Sequence, residues 1–230
     1  MNPGDVLSHQ EICLVERMSL QRGMNFRSRG RPNIILMSTR RGAPYRDHFE
    51  GDGRVLIYEG HDVPRNPSIR DPKSIDQPEV GPTGKPTQNG RFFEAALRAK
   101  AGEPPELVRV YEKIKDGIWV FNGIFALTDA WKELDGRRRV FKFRLELQDS
   151  QGTVEDPRTQ KELEHSRLIP TAVKLEVWKR DKGRCCLCGS SDNLHYDHDL
   201  PFSKGGTSLS AQNVRLLCQR HNLEKRDRIE

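Results

Sequence analysis

The apolar positions of this chain come in short bursts separated by long polar stretches. Asn33-Ile-Ile-Leu-Met37 is a continuous apolar run of strand length, and Arg54-Val-Leu-Ile-Tyr58 is another, stopped by Gly60. Leu107 to Tyr111, Gly117 to Leu127 and Arg139 to Leu147 are rich in β-branched and aromatic residues, with turns at Lys115-Asp116-Gly117 and Asp135-Gly136. From Phe141 onward apolar and polar residues alternate, which predicts a half-buried strand with Lys142 and Arg144 outward. Helical spacing is confined to a stretch at Glu11 to Met18, a short helix at Arg91 to Ala101 ended by Gly102 and Pro104-Pro105, and a helix starting at Thr171. His61 to Gly90 is dense in proline and glycine and reads as a long loop. The pattern predicts an α+β chain: a strand-rich module over 1–150, a polar linker over 151–170 and a small module over 171–230.

Composition narrows this picture. The chain has 230 residues, of which 34% are hydrophobic and 31% charged, so its core is modest. No run approaches the ~20 apolar residues of a membrane span, and no basic-then-apolar leader opens the chain. A cytoplasmic, bacterial protein without a membrane partner is the expectation. The net charge of +6 favours a polyanionic partner.

Of the 5 cysteines, three fall at metal-binding spacing in Cys185-x-x-Cys188 and Cys218-x-x-His221, leaving Cys13 and Cys186 as spares. Zinc takes four tetrahedral nitrogen or sulfur ligands, and ligands two residues apart let one tight turn present both to a single ion. Cys185, Cys188, Cys218 and His221 fill all four positions, so this zinc is expected to be structural. Between the pairs lies Asp197-His198. Asp197 offers a hard oxygen ligand for Mg²⁺ or Mn²⁺, and His198 can take a proton from water near neutral pH. Alone, such a doublet is more often a surface polar pair; its enclosure by zinc ligands reverses that expectation.

The run Cys185-x-x-Cys188, Asp197-His198, Pro201-x-Ser-Lys-Gly-Gly206, Asn213-Val-Arg-Leu-Leu-Cys218-x-x-His221-Asn222-x-x-Lys225 resembles the HNH nucleases of the ββα-metal fold over about 171–230. The resemblance implies His198 as general base, Asp197 as catalytic-metal ligand and Asn213 as the residue that pins the loop and orients His198. The family's last position, usually a second metal-binding histidine, falls on Asn222, whose amide oxygen can still bind Mg²⁺. Lys225 is a candidate phosphate contact, or equally part of a solvated helix face. The implied reaction is phosphodiester hydrolysis leaving 5′-phosphate and 3′-hydroxyl ends.

Over roughly 30–147 the order Thr39-Arg-Arg-Gly-Ala-Pro-Tyr-Arg-Asp47, Arg54-Val-Leu-Ile-Tyr-Glu-Gly60, Gln88-Asn-Gly90, Val108-Arg-Val110, Asp116-Gly117, Phe141-Lys-Phe-Arg-Leu145 resembles the SRA domain. That family is a PUA-like β-barrel that flips a modified cytosine out of the duplex. A flipped base needs an enclosing pocket with stacking and edge hydrogen bonds. Tyr45 and Tyr58 offer aromatic faces, and Asp47 can accept from the cytosine N4 amino group. His48 or a shifted register is the alternative to Asp47, turn chemistry the alternative for Tyr45 and Asp47, and a core strand position the alternative for Tyr58. Gln88, Asn89 and Arg91, in the loop Pro82 to Arg91, are candidates to fill the gap left in the duplex.

Together these resemblances imply a type IV-like restriction endonuclease. An SRA-like module would find 5-methylcytosine or 5-hydroxymethylcytosine in double-stranded DNA, and an HNH site would cut nearby. One active site cuts one strand, so a homodimer is expected for a double-strand break. The rivals are a non-catalytic reader whose zinc unit only adds affinity, and a nuclease directed at phosphorothioate, glucosylated cytosine or unmodified DNA.

Overall fold

The computed structural model describes residues 1–27, 30–148, 168–200 and 206–225. Most of the expected linker and the Pro201 to Gly205 part of the nuclease-like motif lie outside the described residues.

The strands are β1 (Val6–Leu7), β2 (Gly23–Asn25), β3 (Asn33–Met37), β4 (His48–Glu50), β5 (Val55–Glu59), β6 (Leu107–Lys115), β7 (Ile118–Asp135), β8 (Arg138–Leu147), β9 (Leu194–His198) and β10 (Val214–Cys218). The helices are α1 (His9–Glu16), α2 (Gln88–Lys100), α3 (Thr171–Arg180) and α4 (Gln219–Lys225). The first eight strands form one sheet ordered β2-β3-β6-β7-β8-β5-β4, with β1 on β7, while β9 and β10 form a separate antiparallel pair. The fold is α+β, as the pattern predicted. Among the described residues the pairings make a path with ends at β2 and β4, and the closure a barrel needs is not among them.

Two compact units are present: one of Met1–Ser19, Tyr111–Gly123 and Gln148–Glu230, the other of Leu20–Val110 and Ile124–Leu147. These bounds cut across the modules expected at 1–150 and 171–230. The reason lies in the first unit's packing. Ile114 and Val120 share an apolar cluster with Val173, Val177, Leu194, Tyr196, Leu216 and Leu217. Beneath them Lys174 Nζ donates to Glu112 Oε2 at 2.7 Å and Asn122 Oδ1 at 2.7 Å, and Asn122 Nδ2 donates to Glu112 at 3.0 Å. Burial raises the Glu112 carboxyl, but the Lys174 ammonium outweighs it and holds the group below its ordinary range. Strand β9 also meets the first residues of the chain. Tyr196 N–H donates to Gly4 O at 3.0 Å, and His195 Nδ1 lies 2.7 Å from Asp5 Oδ1.

In the second unit, Met24, Ile35, Leu56, Tyr58, Phe92, Phe125, Phe141 and Phe143 build the core. Helix α2 buries Phe92, Ala95 and Ala96 against it and starts at Gln88, three residues before the predicted start, because Thr87 caps it by accepting from Gly90 N–H at 3.2 Å. Strand β7 runs on past Leu127 to Asp135, with a bulge between Leu127 and Asp129 that keeps it paired with β8. Lys142, expected outward from the alternation, is 4% exposed. It sits opposite Glu59 in the β5–β8 register, and its ammonium donates to Glu59 Oε2 at 3.0 Å. No described helix is long and apolar enough to cross a membrane.

Candidate functional site

The ligand atoms of Cys185, Cys188, Cys218 and His221 lie within 4.8 Å of one another. A tetrahedral zinc with sulfur bonds of ~2.3 Å sets neighbouring ligand atoms about 3.8 Å apart. Here Cys188 and Cys218 Sγ are 3.8 Å apart, and His221 Nδ1 is 3.3 Å from Cys185 Sγ and 3.4 Å from Cys218 Sγ. The donors and their spacing fit zinc. The local fold explains the convergence. Cys185 N–H donates to Ser190 O at 2.7 Å and Gly189 N–H to Cys185 O at 2.8 Å, closing the turn that carries the first pair. Cys218 ends β10 and His221 lies within the first turn of α4. Burial opposes ionisation of Cys185, but N–H groups of Cys218, Cys188 and Leu187 and the His221 ring lower its thiol to about 6.

Within the β9–β10 pair, Cys218 stands opposite Leu194 and Val214 opposite His198. The zinc-type tetrad and His198 therefore mark opposite ends of a five-residue ladder, roughly 13 Å apart at ~3.3 Å per residue. His198 Nε2 is 2.9 Å from Ser208 Oγ, and Ser208 is fully buried. Burial lowers the His198 pKa below its ordinary value, against the Asp197 carboxylate and with the Lys225 ammonium, so the ring is neutral at pH 7. Asn213 bonds to Leu200 and Thr207. Its Oδ1 accepts from Leu200 N–H at 2.8 Å, and its Nδ2 donates to Leu200 O and Thr207 O, each at 3.0 Å. Gly206 closes the same point, since a Cβ there would stand 1.8 Å from Leu200 O. Asn213 thus links Leu200 to Thr207, while His198 is held by Ser208 and, through its carbonyl, by Lys225.

Lys225 is not an outward phosphate contact. Its side chain is 2% exposed, and its ammonium donates to Asp197 Oδ2 and His198 O. Asp197 thus meets a cation supplied by the chain itself. Asn222 is half-buried on α4. Among the described residues, the cysteine-histidine tetrad is where three or more His, Cys, Asp or Glu ligands converge, and Asp197 belongs to no second such group.

The second unit carries a different constellation. Asp47 is 8% exposed, and its Oδ1 accepts from Glu59 N–H at 3.0 Å. Burial pushes its carboxyl up to about 7, against the N–H groups of Glu59 and Ser38. Tyr45 is half-buried, its Oη accepts from Asp62 N–H at 3.3 Å, and its ring stacks near-parallel to His61. Tyr58 is 1% exposed in the core, with its hydroxyl 3.2 Å from His61 Nε2. Beneath lies a buried charge network. Arg138 Nη1 donates to Asp62 at 2.5 Å, Arg138 Nη2 to Glu59 at 3.4 Å, and Lys73 pairs with Asp62 at 3.1 Å.

Gln88, Asn89 and Arg91 are not on a loop but in the first turn of α2. Asn89 is 1% exposed, and its amide grips the His61 backbone, accepting from His61 N–H at 2.7 Å and donating to His61 O at 2.8 Å. Gln88 Oε1 accepts from Phe26 N–H at 2.8 Å, while Arg91 is exposed. The exposed tip of the preceding loop is Pro82 to Pro86. Sequence reasoning missed His61, whose only signal is its place just after the Gly60 that stops a strand. It also missed Ser208, which carries no motif.

No family model matches this chain, and no curated protein does. Several solved structures are similar to it. The SUVH5 SRA domain in complex with methylated CHH DNA is 22% identical with a TM-score of 0.45, covering 66% of this chain and 92% of that one. The same domain with hemi-methylated CG DNA is 25% identical with a TM-score of 0.44, covering 66% of this chain and 94% of that one. Arabidopsis thaliana SUVH6 in complex with SAM is 18% identical with a TM-score of 0.40, covering 73% of this chain and 29% of that one.

Proposed function

We propose that the protein is a modification-dependent DNA endonuclease in which the second unit takes a flipped 5-methyl- or 5-hydroxymethylcytosine and the β9–β10–α4 element hydrolyses a phosphodiester. The observation that carries the nuclease half is a single antiparallel pair with a zinc-type tetrad at one end and a neutral His198 at the other, beside Asn213, which bonds to Leu200 and Thr207. A zinc-braced binding element has no use for that second end. His198, neutral at pH 7, takes the proton of the attacking water. Asp197 and Asn222 would hold a divalent ion, a donor pair that suits Mg²⁺, which keeps waters and uses one or two protein oxygens. Bound there, the ion would stabilise negative charge on the phosphoryl oxygens.

For the second unit, support comes from a half-buried aromatic ring, Tyr45, beside a nearly buried carboxyl, Asp47, both standing on a buried charge network. Tyr45 supplies a stacking face, and Asp47 an edge partner for the N4 amino group that thymine lacks. The names of the similar structures agree with this reading, being SRA domains with methylated DNA.

One observation favours a second reading, a DNA reader without catalysis: the Lys225 ammonium already neutralises Asp197. The two separate in one experiment. Matched plasmids carrying C, 5mC or 5hmC are incubated with the full chain and Mg²⁺ or Mn²⁺, beside His198→Ala. Cleavage of the modified plasmids by wild type alone supports the endonuclease; equal cleavage by the variant ends it, and binding without cleavage selects the reader.

A further inference from the structure

We infer that His61, rather than Tyr58, forms the second wall of the nucleobase slot, facing Tyr45. The inference deepens the base-pocket reading above and rests on it. Tyr58 cannot present a ring face without opening the core. It is 1% exposed and packed in the cluster of Met24, Leu56, Phe92 and Phe143. His61 stands differently. Its ring lies at 24° to that of Tyr45 with centroids 6.1 Å apart, and both residues are only half-buried. A planar base held between two rings needs about 7 Å, two contact distances of roughly 3.5 Å. The Tyr45–His61 separation is within about 1 Å of that width.

The chain fixes His61 as a wall would need to be fixed. Asn89 brackets its backbone from both sides, at 2.7 and 2.8 Å. Met24 N–H donates to Nε2 at 3.0 Å, and the Tyr58 hydroxyl reaches the same atom at 3.2 Å. An Nε2 that accepts from a main-chain N–H carries no proton, so the neutral ring is the Nδ1–H tautomer, with that donor left for a ligand. Space for the ring exists because position 23 is glycine. A Cβ there would lie 1.9 Å from His61 Nε2, and the backbone φ of +90° suits glycine besides. Asn89 thereby acts as a positioning residue, holding His61 through its main chain.

The test uses the full chain and two duplexes differing only in one central cytosine, modified or not, with 2-aminopurine opposite to report flipping. His61→Ala is expected to weaken binding of the modified duplex by roughly 5- to 140-fold, the range for removing one base-stacking ring. Tyr58→Phe, which keeps the core volume, is expected to change it by less than about threefold. A folded His61→Ala that binds the modified duplex like wild type overturns the inference, as does a Tyr58→Phe loss as large as that of His61→Ala. Should His61→Ala fail to fold, diethylpyrocarbonate labelling of wild type decides. Protection of His61 by the modified duplex and not the unmodified one supports the inference, and equal labelling overturns it. If wild type binds both duplexes alike with no 2-aminopurine signal, the base-pocket reading itself fails, a result distinct from failure of His61 alone.

Discussion

The buried ammonium of Lys225 donates to the Asp197 carboxylate and to the His198 carbonyl, tying the end of α4 to the last two residues of β9. A divalent ion bound by Asp197 must share that carboxylate with a resident cation. Replacing Lys225 by Met leaves a partly buried carboxylate without its partner, expected to cost about 2 kcal/mol of unfolding free energy. Mn²⁺ at millimolar concentration is expected to restore part of that loss in Lys225→Met and to stabilise wild type less. Denaturant unfolding with and without Mn²⁺ measures both, and identical Mn²⁺ effects would mean that Lys225 and the ion do not compete.

The tetrad's geometry fits zinc, and the first unit is expected to depend on that ion. Elemental analysis of purified protein is expected to find one zinc per chain, held by Cys185, Cys188, Cys218 and His221. Chelation, or Cys218→Ser, is expected to melt the β9–β10–α4 element while leaving the second unit's sheet, which holds no such ligands among its described residues. Hydrogen exchange resolved by peptide reads the two units separately.

Asp47 imposes a pH dependence with a definite sign. Its carboxyl is pushed up to about 7 in the folded chain from 3.8. Between roughly pH 4 and pH 7 the folded chain therefore keeps a proton that the unfolded chain has released. This contribution is full below pH 4 and is lost as pH rises through 7, a swing of about 4 kcal/mol. Asp47→Asn removes it, so the stability of wild type relative to the variant is expected to fall between pH 4.5 and pH 7.5. A pH-independent difference in denaturant midpoints would contradict a buried, protonated Asp47.

Glu112 and Lys174 are a fully buried pair, at 0% and 1% side-chain exposure. Lys174→Met or Glu112→Gln alone strands one charge and is expected to cost about 3–5 kcal/mol. The double variant is expected to cost less than the sum, and a double-mutant cycle on urea unfolding gives the coupling.

What could be read from the sequence follows the range of the interactions involved. Strand β3 coincides with its apolar run, and the tetrad was legible because each ligand pair is two residues apart and so lies in one turn. Lys142 was misread because alternation assigns faces within a strand but not the residue across from it, and only the β5–β8 register brings Glu59 there. Asn89 and Lys225 looked like surface polar groups in composition. Their partners, His61 and Asp197, are 28 residues away in the chain, a distance over which no local pattern speaks. The interleaved unit boundaries were illegible for the same reason.

The contact between Asp5 and His195 spans 190 residues of sequence. On a ribosome delivering earlier residues first, Asp5 must wait for the 190 residues up to His195 before β9 arrives to meet it. The proposed cutting element thus assembles only after the proposed mark-reading unit has its full sequence, and a product terminated before His195 would lack a competent blade.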